Sequence, residues 1–129
     1  MRRLIIFVLP LALLGRCTDI GSAPRNSPAV FMIDLQAQFL DDSVRVLVDD
    51  RMVYEGRVTT FPLLGLARSI PVEGVSGTCW VRTQVVDPLP GTERDTAVTV
   101  GDTLTVAVTL DERSRTLYYT VYPYLIRYR

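Results

Sequence analysis

From residue 30 onward, apolar and polar positions alternate with a period of two, the signature of strands with one buried face. In VFMIDLQAQFL, Phe31, Ile33, Leu35, Ala37 and Phe39 share a face, and Asp34 falls out of phase with them, on a side expected to meet solvent. In SVRVLV the face is Val44, Val46 and Val48. TCWVRTQVV sets Cys79, Val81, Thr83 and Val85 against Trp80, Arg82, Gln84 and Val86. TLTVAVTL presents Leu104, Val106, Val108 and Leu110, and TLYYTV alternates Leu117, Tyr119 and Val121 against Tyr118 and Thr120. No stretch of this region carries a helical stripe.

Turn-forming residues separate the runs. LDDS ends the first strand, and VDDRM forms a hairpin. A three-residue loop, Asp49 to Arg51, would pair Val48 with Met52 and Val46 with Tyr54 and so keep one apolar face continuous. TFPLLG and PVEGVSG flank a short strand near Ala67 to Val72. DPLPGTERD is the longest break, because its prolines cannot sit in a central strand. VGDT and DERSR join the last strands. Seven or eight short strands at this spacing predict an all-β fold, a two-sheet antiparallel sandwich resembling immunoglobulin-like or transthyretin-like domains.

Residues 1–29 read differently. Met1-Arg2-Arg3 precedes an apolar run, Leu4 to Leu14, too short to span a bilayer comfortably and broken by Pro10. This is the pattern of a signal peptide over residues 1–16. The sequence LGRC, Leu14 to Cys17, resembles the motif of bacterial lipoprotein precursors, in which the cysteine becomes the lipid-bearing first residue. Leu14 and Gly15 fit that motif, whereas Arg16 stands where a small residue is usual. Residues 17–29, rich in Gly, Ser and Pro, then read as a flexible tether, with 30–129 as the β-sandwich domain. The resemblance implies export to a bacterial cell envelope and a membrane attachment through Cys17; the alternative is a secreted soluble chain cleaved near Ala23. Cys79, in phase with two valines, is expected as a buried free thiol, with a Cys17–Cys79 disulfide as the other reading.

Composition narrows the chemistry. The chain has 129 residues, room for one domain, and its fourteen basic residues, all Arg, balance fourteen acidic ones. Arg2, Arg3 and Arg16 precede Cys17, however, so a chain starting there is net acidic and has no stripe for nucleic acid. With no His and no Lys, the chain cannot assemble Ser-His, Cys-His or Ser-Lys nucleophile pairs. Two cysteines without His make a poor metal set, and no cofactor is expected. Asp41-Asp42 and Asp49-Asp50 bracket one strand and so lie roughly 25 Å apart. Neither has calcium-loop spacing, and both read as turn residues. Asp34 has no second carboxylate placed for glycosidase chemistry.

Two features point to binding instead. Trp80 and Arg82 face away from the core, and the C-terminal TLYYTVYPYLIRYR concentrates Tyr118, Tyr122, Tyr124 and Tyr128. Such rings roof a small sandwich, form protein interfaces or stack on sugars. The tail after Pro123 is also suited to adding to a sheet edge. SVRVLVDDRMVYEGRVTT with IPVEGVSGTCWVRTQV resembles the cadence of PEGA and carboxypeptidase-regulatory-like surface modules, with Gly77-Thr78-Cys79-Trp80-Val81 in place of a Pro- and His-bearing element. That resemblance implies a non-catalytic module. The expectation is therefore a structural or protein-interaction domain with an envelope protein partner. The alternative is a carbohydrate-binding module that takes a polysaccharide on the same Trp and Tyr residues.

Overall fold

The computed structural model describes residues 30–88 and 90–129. The signal peptide, the tether and Cys17 lie outside the described residues. Eight strands form: β1 (Phe31–Leu35), β2 (Asp42–Val48), β3 (Arg51–Val58), β4 (Arg68–Val72), β5 (Thr78–Asp87), β6 (Thr92–Thr99), β7 (Thr105–Asp111) and β8 (Thr116–Tyr122). They make two four-stranded sheets, ordered β4-β1-β7-β8 and β3-β2-β5-β6, and no helix occurs among the described residues. Neighbouring strands are antiparallel except β1 and β7, which run parallel. In an immunoglobulin domain the first two strands share a sheet. Here they lie in opposite sheets, so the strand order departs from that of an immunoglobulin domain.

The core is most of the set of in-phase residues that the alternation marks; Leu104 and Val121, expected on the buried face, lie at the sheet's end and are 38% and 44% exposed. Ile33, Leu35, Val44, Val46, Val48 and Val81 are fully buried, as is the free thiol of Cys79. Burial, and secondarily the charge of Asp49, pushes that thiol's pKa up.

Three local expectations are corrected. β1 stops at Leu35 rather than running to Phe39. There the chain turns from one sheet to the other, with Gln38 and Asp41 at positive φ, yet Phe39 still enters the core at 2% exposure. The hairpin loop has two residues, Asp49 and Asp50, both at positive φ as a type I′ turn requires, so Val48 pairs with Arg51. A bulge between the Val46–Tyr54 and Leu47–Met52 pairs takes up one residue, which keeps the expected Val46–Tyr54 pair while leaving Met52 half exposed. Finally, the break after β5 is short. Thr92, Glu93, Arg94 and Asp95 belong to β6, an edge strand whose charges discourage pairing with another chain.

The connections define two poles. Val30, the β2–β3 turn, and the loops before β5 and β7 share one end, whereas residues 36–41, 59–67 and 112–115 occupy the other. Trp80, near the start of β5, therefore sits at the pole where residues preceding 30 enter the domain.

Candidate interaction surface

β5 builds the surface by simple alternation. With Cys79, Val81, Thr83 and Val85 buried, Trp80 and Arg82 must point outward. Trp80 is 55% exposed. Its position is fixed by the turn opposite: the Asp49 N–H donates to the Trp80 carbonyl, and the Trp80 N–H donates to Asp49 Oδ1, both at 2.9 Å. Arg82 pairs across to Asp95 in β6. Its guanidinium lies 3.7 Å from Asp50, 3.6 Å from Glu93 and 3.7 Å from Asp95. Asp49, Asp50, Trp80, Arg82 and Asp95 line an open hollow of about 420 Å³. One cation thus stands among three carboxylates, with Asp49 also lining the hollow, beside an exposed indole.

The tyrosines lie elsewhere. Tyr118 projects from β8 in the opposite sheet, with the Arg94 guanidinium 5.9 Å from its ring centre. Tyr119 turns inward. Its hydroxyl donates to the Arg94 carbonyl at 2.5 Å and shares a 2.9 Å hydrogen bond with the Thr83 hydroxyl, tying the two sheets along one side. Tyr122 and Tyr124 pack ring against ring at 5.3 Å, where Pro123 turns the chain. The expected set therefore divides: Trp80 and Arg82 come together, and Tyr118, Tyr122, Tyr124 and Tyr128 do not join them.

Tyr128 has a structural place. No strand forms in residues 123–129; this segment runs back across the outer face of the β4-β1-β7-β8 sheet rather than extending an edge. The Thr105 hydroxyl donates to the Tyr124 carbonyl at 2.8 Å. At the far end, Gln36 donates to the Tyr128 hydroxyl at 2.9 Å, and that hydroxyl donates to Asp34 Oδ2 at 2.7 Å. Asp34 does point away from the core, but it is only 3% exposed, not solvent-facing, because the tail covers it. Ser69 donates to its other oxygen at 2.7 Å.

Burial pushes both Tyr119 and Tyr128 up to about 12; in Tyr128 the hydrogen bond from Gln36 opposes the rise and the neighbouring Asp34 adds to it. A neutral phenol favoured in the native state means that the unfolded chain releases these protons first, near its ordinary pKa of about 10. Their contribution to stability is complete below about pH 10 and falls as pH rises towards 12. An absorbance titration of tyrosinate should therefore show two late phenols and a loss of unfolding free energy over that window. Retained stability through pH 12 would contradict the assignment.

By sequence Asp49 and Asp50 are turn residues, and Glu93 and Asp95 belong to a loop. Asp50 is brought to Arg82 by the β2–β5 pairing, and Glu93 and Asp95 by the β5–β6 register, which the apparent length of DPLPGTERD conceals. Among the described residues, no three His, Cys, Asp or Glu side chains are grouped to hold a metal ion, and no helix is long and apolar enough to cross a membrane. The fold and the hollow define a small β-sandwich with an aromatic, acidic surface site. Compared with protein-family models, curated proteins and solved structures, the chain matches none of them.

Proposed function

We propose that this chain is a non-catalytic, exported interaction module, held to the cell envelope through Cys17 and recognising a partner protein with the Trp80 hollow. The observation that carries this reading is the half-exposed indole of Trp80, whose backbone N–H and carbonyl are tied to Asp49 by two hydrogen bonds, beside an arginine. Tryptophan is among the residues most often responsible for affinity at protein interfaces, where its ring is covered at little entropic cost. Location supports it too. A tether of residues 17–29 reaches at most about 45 Å when extended, and it enters at the pole that carries the hollow, so a partner in the same membrane lies within range.

A carbohydrate reading draws on the same ring, since carboxylates beside an indole accept sugar hydroxyls well. It is weakened because the tyrosines that would extend the platform lie in the other sheet. One preparation tests the proposal: the chain extracted from the membranes of its native host. The expected chain begins at Cys17 and is heavier by lipid, Cys17→Ser remains unprocessed, and a co-extracted envelope protein is lost with Trp80→Ala but kept with Tyr122→Ala/Tyr124→Ala. A lipid-free chain would remove the tether, and a partner kept by Trp80→Ala would remove the surface.

A further inference from the structure

We infer that the Trp80 hollow is a seat for a cationic side chain, the guanidinium or ammonium of an Arg or Lys presented by the partner, and that Arg82 is a weakly held internal stand-in for it. This rests on the hollow being the interaction surface and adds the chemistry it recognises. Three observations converge.

The first is the state of Arg82. A guanidinium carries five donors in a fixed fork and binds carboxylates best through short, paired bonds of about 2.7–2.9 Å. Arg82 makes no hydrogen bond to any of its three carboxylate neighbours; it stands 3.6–3.7 Å from each. Its side chain is 38% exposed, so water screens these contacts. Asp50, Glu93 and Asp95 thus share one loosely placed cation, and Asp49 adds a fourth negative charge.

The second is Trp80 itself. The face of an indole is the strongest cation–π acceptor among side chains. Among the described residues, the cation–π pairs are Arg68 on Tyr54 at 5.1 Å and Arg94 on Tyr118 at 5.9 Å. The better acceptor, in the more negative surroundings, is engaged by neither arginine.

The third is shape and overall charge. The hollow of about 420 Å³ is roomier than one guanidinium needs, and it is formed by side chains on a sheet and a tight turn. A chain beginning at Cys17 is net acidic, which steers basic segments towards it. An anion would meet the carboxylates of Asp49, Asp50 and Asp95 there, and a neutral sugar stacked on the ring would leave their charge unmatched.

The test uses the mature chain in detergent, with Trp80 emission as the signal. Trp80 is the only tryptophan in the chain, so its emission reports on this site alone. The probes are a blocked Gly-Arg-Gly-Arg-Gly peptide, its citrulline counterpart of equal shape and no charge, and neutral oligosaccharides. The Arg peptide is expected to shift the emission, to bind about tenfold more tightly than the citrulline peptide, and to lose affinity with added salt. Asp95→Asn should weaken it several-fold. Arg82→Gln, which removes the competing cation, should tighten it about threefold or more. Equal binding of the citrulline peptide, no binding of the Arg peptide, weaker binding by Arg82→Gln, or a response to oligosaccharides alone would each overturn the inference. If the Arg peptide fails while the membrane partner still requires Trp80, the cationic seat falls and the interaction surface stands.

Discussion

Ending the chain at Pro123 should lower the free energy of unfolding by roughly 2–4 kcal/mol, measured by urea denaturation of the mature chain. The deleted segment contributes nothing to the central apolar cluster, so the sandwich itself should still fold. What is lost is the cover over Asp34 and three polar ties: Thr105 to the Tyr124 carbonyl, Gln36 to the Tyr128 hydroxyl, and that hydroxyl to Asp34. A hydrogen bond to a charged group is worth about 1.5–3 kcal/mol, and the neutral ties about 0.5–1.5 kcal/mol each. Water reaching the uncovered carboxylate returns part of this, which sets the estimate below the sum. Tyr128→Phe keeps the ring and removes the hydroxyl, so it should cost less than the truncation. A truncated chain within about 0.5 kcal/mol of the parent, the scale of an unremarkable surface change, would show that the tail merely rests on the sheet.

Asp42→Ala should cost roughly 2–3 kcal/mol in the same measurement. Asp42 opens β2, and its side chain is 4% exposed. One oxygen accepts the Leu40 N–H at 2.8 Å, and the other stands 3.4 Å from Arg115 Nη2. Arg115 is 23% exposed, and its Nε is buried without a partner. Removing one member of a buried ion pair typically costs about 3–5 kcal/mol because the survivor is left uncompensated. Partial access of water to Arg115 reduces that penalty. The uncompensated charge, not the lost contact, is the main cost, so Asp42→Ala/Arg115→Ala should recover part of the stability. A double variant as unstable as the sum of the two single variants would contradict this account.

These two sites also mark where sequence reasoning reaches and where it stops. Alternation gives the phase of a strand, and the phases of β2, β5 and most of β7 are legible in SVRVLV, TCWVRTQVV and TLTVAVTL. Trp80 and Arg82 were legible for the same reason: residues out of phase with a buried Cys79 and Val81 must point outward. Phase does not say whether the outer face is open. Asp34 is out of phase with the core as read, but a segment more than ninety residues downstream lies over it, and no local pattern encodes that.

Registers between strands are similarly hidden. A continuous apolar face calls for a three-residue β2–β3 loop, yet a bulge at Val53 keeps the Val46–Tyr54 pair with a shorter turn. Glu93, Arg94 and Asp95 look like a loop by composition and form an edge strand instead. The acidic ring around Arg82 follows from that register and has no sequence signature of its own.

The account turns on Trp80 lying in the face that meets the partner, and cross-linking in living cells tests this most directly. A photoreactive residue at Ala97, exposed and paired with Trp80 across β5 and β6, would probe the hollow without altering it. Thr120, exposed on β8 of the other sheet, provides the control. The account predicts one discrete adduct from position 97 that disappears with Trp80→Ala, and none from position 120. An adduct from 120 alone, or one from 97 that survives Trp80→Ala, would contradict it.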